Sequence, residues 1–65
     1  MSHGKQLEQK LKELGIKKKE LAERLAVHPN TITLWLGKDI LESSVKQRIA
    51  DSLDLAESSI FYSVQ

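Results

Sequence analysis

Gly15-Ile16-Lys17-Lys18-Lys19-Glu20-Leu21-Ala22-Glu23-Arg24-Leu25-Ala26-Val27-His28-Pro29-Asn30-Thr31-Ile32-Thr33-Leu34-Trp35 carries two apolar series at helical spacing, with a break between them. Leu21, Ala22 and Leu25 mark one face of a helix rather than the alternation of a strand, and they predict a helix from Lys17 to about Val27. Lys17 has no side-chain oxygen to cap its start. Glu20 falls at about the third helical position, where a carboxylate satisfies free amides and suits the positive end of the dipole. The break is His28-Pro29. Proline fits the first helical position because its missing N–H would have found no partner there. A second helix is therefore predicted to open at Pro29, with Ile32, Trp35 and Leu36 as its inner face and Gly37 at its end. Ala22 is small where the two helices must approach closely, and Val27 plugs the turn between them.

At about 100° per residue, with Ile32 as origin, Leu36 lies at about 40° and Trp35 at about 300°, which defines the buried side. Asn30 at about 160° and Leu34 at about 200° look outward, and Thr33 sits at the margin of that set. Trp35 is accordingly read as core and not as a platform on which bases stack.

Upstream, Leu7, Leu11 and Leu14 follow an i, i+4, i+7 pattern, and Gly15 stands where a left-handed helix stop is wanted. Downstream, Ser44 with Gln47 has the form of a capping box opening a helix with Val45, Ile49, Ala50 and Leu53 on one side, and Ser52 and Asp54 mark its end. Leu55, Ile60, Phe61 and Val64 fit a short last helix with Tyr62 near its tail; a terminal strand over Phe61 to Val64 is the alternative. The expectation is an all-α chain of five short helices in a single domain spanning residues 1–65, without repeats or linkers.

With 40% hydrophobic and 29% charged residues, the chain has the balance of a folding sequence, though its length allows only a small core. The absence of cysteine excludes a disulfide framework, a zinc ribbon and a thiol nucleophile, leaving packing, reinforced by oligomerisation, to supply stability. No apolar run approaches the roughly 18 residues of a membrane span. No signal-type block follows Met1 to Lys5, and Gly4 is not at the position myristoylation requires. A cytoplasmic location is expected. His3 and His28 are too far apart in sequence to be read as a metal pair. Ser43, Ser44, Ser52, Ser58, Ser59 and Ser63 form no nucleophile motif. Neither a metal, a cofactor nor an enzymatic activity is expected.

The net charge of +1 conceals an asymmetry. All ten Lys and Arg lie between Lys5 and Arg48 with six of the nine acidic residues, so that segment carries +4, whereas Asp51, Asp54 and Glu57 bring the remainder to −3. One end can face a polyanion while the other faces away.

The stretch from Gly15 to Trp35, with its Glu20-Leu21-Ala22 triplet, its turn after Val27 and its Thr31-Ile32-x-x-Trp35 helix, resembles the helix-turn-helix of the lambda-repressor/Cro family, often called the Xre family. Ile49 to Phe61 resembles that family's closing pair of helices. The resemblance implies a five-helix, lambda-repressor-like fold with the helix-turn-helix at about 17–37, and a regulator of transcription that binds double-stranded DNA as a dimer, most simply a small repressor. It places His28, Pro29, Asn30, Thr33 and Leu34 at bases in the major groove, and Lys17, Lys18, Lys19, Thr31 and Lys38 at phosphates. It also implies a homodimer interface among Ile60, Phe61, Tyr62 and Val64, although Ile60, Phe61 and Val64 could equally complete the monomer core. The sequence departs from the family at His28, usually Ser or Thr, at Lys18, usually Gln, and at Leu34, usually a polar reader. Pro29 has no side-chain donor. Readout by hydrogen bonds therefore narrows to Asn30, Thr33 and His28. No small-molecule effector is expected.

A rival reading keeps the fold but gives it a protein partner, as in an antirepressor or an antitoxin-like module; Leu34, Leu36, Pro29 and the modest charge favour it. Ser44-Val45-Lys46-Gln47-Arg48-Ile49 also looks like the helix that follows the recognition helix in a lac-type headpiece. The same residues could also be the DNA-binding end of a longer regulator.

Overall fold

Leu7, Leu21, Ile32, Ile49 and Ile60 are the largest fully buried side chains, and each comes from a different helix: α1 (His3–Leu14), α2 (Lys18–Leu25), α3 (Pro29–Leu36), α4 (Ser43–Ser52) and α5 (Glu57–Ile60). This computed structural model describes residues 2–62, and among those residues the chain is all-helical, with no strand. The five side chains meet in one cluster with Leu11, Ala22, Leu25, Leu41, Ala50, Leu53 and Phe61. Burying a side chain of this size contributes about 1.5–3 kcal/mol, so the helices are held mainly by one another. Among the described residues, no helix is long and apolar enough to cross a membrane.

Local chemistry sets the ends of the elements. The Ser2 hydroxyl accepts a hydrogen bond from the Lys5 amide at 3.2 Å, and Gly15 at φ 70° stops α1 in the left-handed conformation, as its position predicts. α2 begins at Lys18 without a side-chain cap on its first amides. It stops at Leu25, two residues short of the predicted end, because Ala26 turns to φ 57° and the Val27 amide donates back to the Ala22 carbonyl at 3.0 Å. Val27 then packs half-buried against the core. α3 starts at Pro29 as predicted.

Four expectations are corrected. Ser44 and Gln47 form no capping box: α4 starts at Ser43, its N-cap is Glu42, and Gln47 donates to Asp51 one turn further on. Leu41, at 3% exposure, anchors the chain just before that helix, so the start follows the core and not the serine. Leu14 is 45% exposed, since it lies on the last turn of α1 just before the stop at Gly15. Trp35 and Leu36 are half-buried at the edge of the cluster and do not lie within it. The last helix is a single turn, Glu57–Ile60, after which Phe61 is extended at φ −112°; Val64 lies outside the described residues.

α2 packs against α3 and α4, α1 against α3 and α5, and α4 against α5. Two exposed arginines link α2 to α4. Arg24 of α2 donates to the Ser52 carbonyl at the end of α4, at 3.3 Å, and Arg48 of α4 donates to the Leu25 carbonyl at the end of α2, at 3.1 Å. Each cation thus meets a helix C-terminus, where unpaired carbonyls and the dipole favour positive charge.

Candidate functional site

Ile32 is fully buried, which rotates the opposite side of α3 into solvent. His28, Pro29, Asn30, Thr33 and Leu34 are all exposed, and Leu34 reaches 66%. Thr31 is half-buried. The helix is eight residues long, about 12 Å at 1.5 Å per residue, and free along that face.

Its first turn has a cap that the sequence does not announce. His28 Nδ1 accepts the Asn30 backbone N–H at 3.1 Å, the role that Ser, Thr or Asp usually plays. A neutral imidazole accepting at Nδ1 carries its proton on Nε2 and keeps a donor there. The Thr33 hydroxyl donates to the Pro29 carbonyl at 3.4 Å, which leaves it able to accept. No hydrogen bond ties the Asn30 side-chain amide to the protein among the described residues, so both its donor and its acceptor are open to a ligand.

The cations sort into two groups. Lys10, Lys12, Arg24 and Lys46 pair with Glu13, Glu8, Glu20 and Glu57 at 3.1, 3.8, 3.0 and 3.5 Å, and Arg48 is engaged at the end of α2. Lys5, Lys17, Lys18, Lys19 and Lys38 have no carboxylate partner among the described residues. Lys17, Lys18 and Lys19 surround the uncapped start of α2, where free amides add partial positive charge. Lys17 and Lys18 also share an open cleft of about 370 Å³ with Leu11, Ile16 and Leu36, so the start of α2 lies beside the end of α3.

Lys38 is placed by α1. The His3 and Gly4 amides donate to the Asp39 and Lys38 carbonyls at 2.8 and 3.0 Å, and the Leu41 amide donates to His3 Nδ1 at 2.9 Å. Gly4 permits this approach: a Cβ there would lie 2.6 Å from the Leu36 carbonyl carbon and 2.8 Å from the Lys38 carbonyl oxygen. Lys5, next in the chain, also has no carboxylate partner among the described residues, and sequence reading missed both it and the approach of this turn to the end of α3. Its signal was the glycine inside the first turn of a helix, where only a close neighbour explains it.

Ile60 and Phe61 are 1% and 6% exposed and fill the monomer core, which withdraws them from the surface a second copy would meet. Tyr62 is 52% exposed, and Ile40, which the sequence reading did not single out, is 73% exposed. Among the described residues no group of three or more His, Cys, Asp or Glu is placed to hold a metal ion. The arrangement offers point charges to a polyanion from the flanks of α3, and an open amide, a hydroxyl, an imidazole and an apolar tip from its face. No family model, no curated protein and no solved structure matches the chain.

Proposed function

We propose that the chain is a sequence-specific double-stranded DNA-binding regulator of transcription, with α2 and α3 as a helix-turn-helix of the lambda-repressor/Cro (Xre) type. The observation that carries this reading is the separation of charge: among the described residues Lys17, Lys18, Lys19 and Lys38 have no carboxylate partner, while both arginines are engaged at the ends of other helices. In this reading α3 enters the major groove, about 12 Å wide. Lys17, Lys18, Lys19, Thr31 and Lys38 meet phosphates, with Lys5 added to them. Asn30 makes a bidentate contact to adenine, Leu34 packs on a thymine methyl, and Thr33 and His28 supply further hydrogen bonds; Pro29 contributes shape. Two copies would bind half-sites one DNA turn apart. With Ile60 and Phe61 inside the monomer, the dimer contact falls to Tyr62, with Val64 beyond the described residues. Such a chain acts most simply as a small repressor in the cytoplasm.

Selection of bound sequences from a random duplex pool tests this, with the best sequence and a scrambled one titrated against salt. Enrichment of a two-fold symmetric site, bound at least about 10³-fold more tightly than scrambled DNA, is expected. Asn30→Ala should relax the preference at one position of that site and leave non-specific binding intact. No enrichment, with only weak binding that salt removes, would overturn the reading. The exposure of Leu34 and Ile40 would then favour the second reading, a module of the same fold that binds a protein.

A further inference from the structure

Among the described residues, His3 is the only side chain that joins α1 to the segment between α3 and α4 by an acceptor nitrogen. The Leu41 amide donates to its Nδ1 at 2.9 Å, its own amide donates to the Asp39 carbonyl, and the neighbouring Gly4 amide to the Lys38 carbonyl. The other side of the ring meets Phe61 edge to face, with centroids 5.6 Å apart and planes at 71°. The imidazole is thus wedged between the last core aromatic and a short segment that carries Lys38, Asp39 and the exposed Ile40. Leu41 itself is buried, so its amide has no water to fall back on at no cost.

An Nδ1 lone pair can hold that amide only while it is unprotonated. A protonated ring presents N–H at both nitrogens, which places donor against donor at Leu41. The charged groups around the ring do not offset this. Lys46 of α4 opposes a positive ring, whereas Glu57 of α5 favours one but is already paired with Lys46 at 3.5 Å. On the segment itself Lys38 and Asp39 carry opposite charges and are both exposed to solvent, as is Lys5 of α1. Burial and Lys46 together hold the His3 pKa below its ordinary value, against the smaller influence of Glu57.

We propose that His3 is a proton-sensitive latch: protonation of its imidazole detaches the Leu41 amide and releases the 38–41 segment from α1 while the rest of the core stays folded. The consequence for DNA rests on the function proposed above, because it is Lys38 on this segment that would meet phosphate. An acidified protein would then hold one phosphate fewer.

Amide-resolved NMR on the full chain between about pH 8 and about pH 5 tests the latch without DNA. The Leu41 amide is expected to shift and lose exchange protection in step with the His3 ring, while the Leu21 and Ile49 amides keep theirs. His3→Asn, whose side-chain oxygen can accept the same N–H without titrating, should abolish the response. A Leu41 amide that does not follow the His3 ring, an unchanged response in His3→Asn, or loss of all amides together would each overturn the proposal. In a second arm, the salt slope for duplex binding is expected to fall by about one on acidification in the wild-type chain beyond any fall in His3→Asn. A responsive Leu41 amide with no duplex binding at any pH would uphold the latch and overturn the DNA reading instead.

Discussion

Replacing Gly4 by alanine sets two effects against each other. In an exposed helix the change would stabilise by up to about 1 kcal/mol, because glycine loses more backbone freedom on folding. Here the added methyl would lie well inside contact with the Leu36 carbonyl and 2.8 Å from the Lys38 carbonyl oxygen, both backbone groups that cannot rotate away. Ordinary contact needs more than about 3.4 Å, so the first turn of α1 must retreat by up to about 1 Å, an overpacking that typically costs 1–3 kcal/mol. A retreat of that size breaks or weakens the hydrogen bonds to Asp39, Lys38 and Leu41, which are 2.8, 3.0 and 2.9 Å long. At about 1 kcal/mol each they amount to about 3 kcal/mol, and the propensity gain reduces the net loss to about 2 kcal/mol. For a chain of this size that is a fall in Tm of about 8–16 °C, readable by far-UV circular dichroism during heating and by the urea midpoint. A Gly4→Ala protein as stable as wild type, or more stable, would refute the close approach of α1 to the end of α3, and with it the placement of Lys38.

Ile32→Ala should cost about 2–5 kcal/mol through the cavity it opens at the centre of the cluster. Leu34→Ala, two residues on, should shift stability by no more than about 0.5 kcal/mol yet change duplex preference at a thymine; equal stability losses in the two urea curves would show that α3 is rotated differently. Lys18→Ala should weaken binding to every duplex and reduce the salt slope by about one unit, and an unchanged slope would remove Lys18 from the phosphate set. Because burial holds His3 below its ordinary pKa, the unfolded chain takes up that proton first. The stability His3 contributes is therefore complete above about pH 6.5 and declines as pH falls below it toward the lowered folded value. The urea midpoint of wild type should fall relative to that of His3→Asn on acidification from about pH 7.5 to about pH 5.5; a constant or rising relative midpoint contradicts the sign.

Helical phase was legible because it depends on residues a few positions apart. Ile32 on the inside with Asn30 and Leu34 on the outside follows from 100° per residue, and the stop at Gly15 and the start at Pro29 follow from backbone chemistry alone. What escaped depends on partners distant in sequence. Gly4 and His3 acquire their roles from Leu36 to Leu41, more than thirty residues away, and no local pattern points there. Ser44 and Gln47 made a plausible cap, but burial of Leu41 fixes where α4 begins, so a tertiary contact overrode a local one. Leu14 shows the complement: the period assigned it inward, yet it falls on the final turn of its helix and stays exposed. Of the candidate face, the exposure of Asn30, Thr33 and Leu34 was readable. Which lysines are left unpaired was not, since pairings such as Lys46 with Glu57 join different helices.

The crossed contacts of Arg24 and Arg48 have a chemical corollary. With both guanidinium groups fixed against helix-end carbonyls, every cation left without a partner among the described residues is a primary ammonium. Acylation of lysine would therefore discharge that outward-facing set while leaving the two arginine contacts chemically untouched.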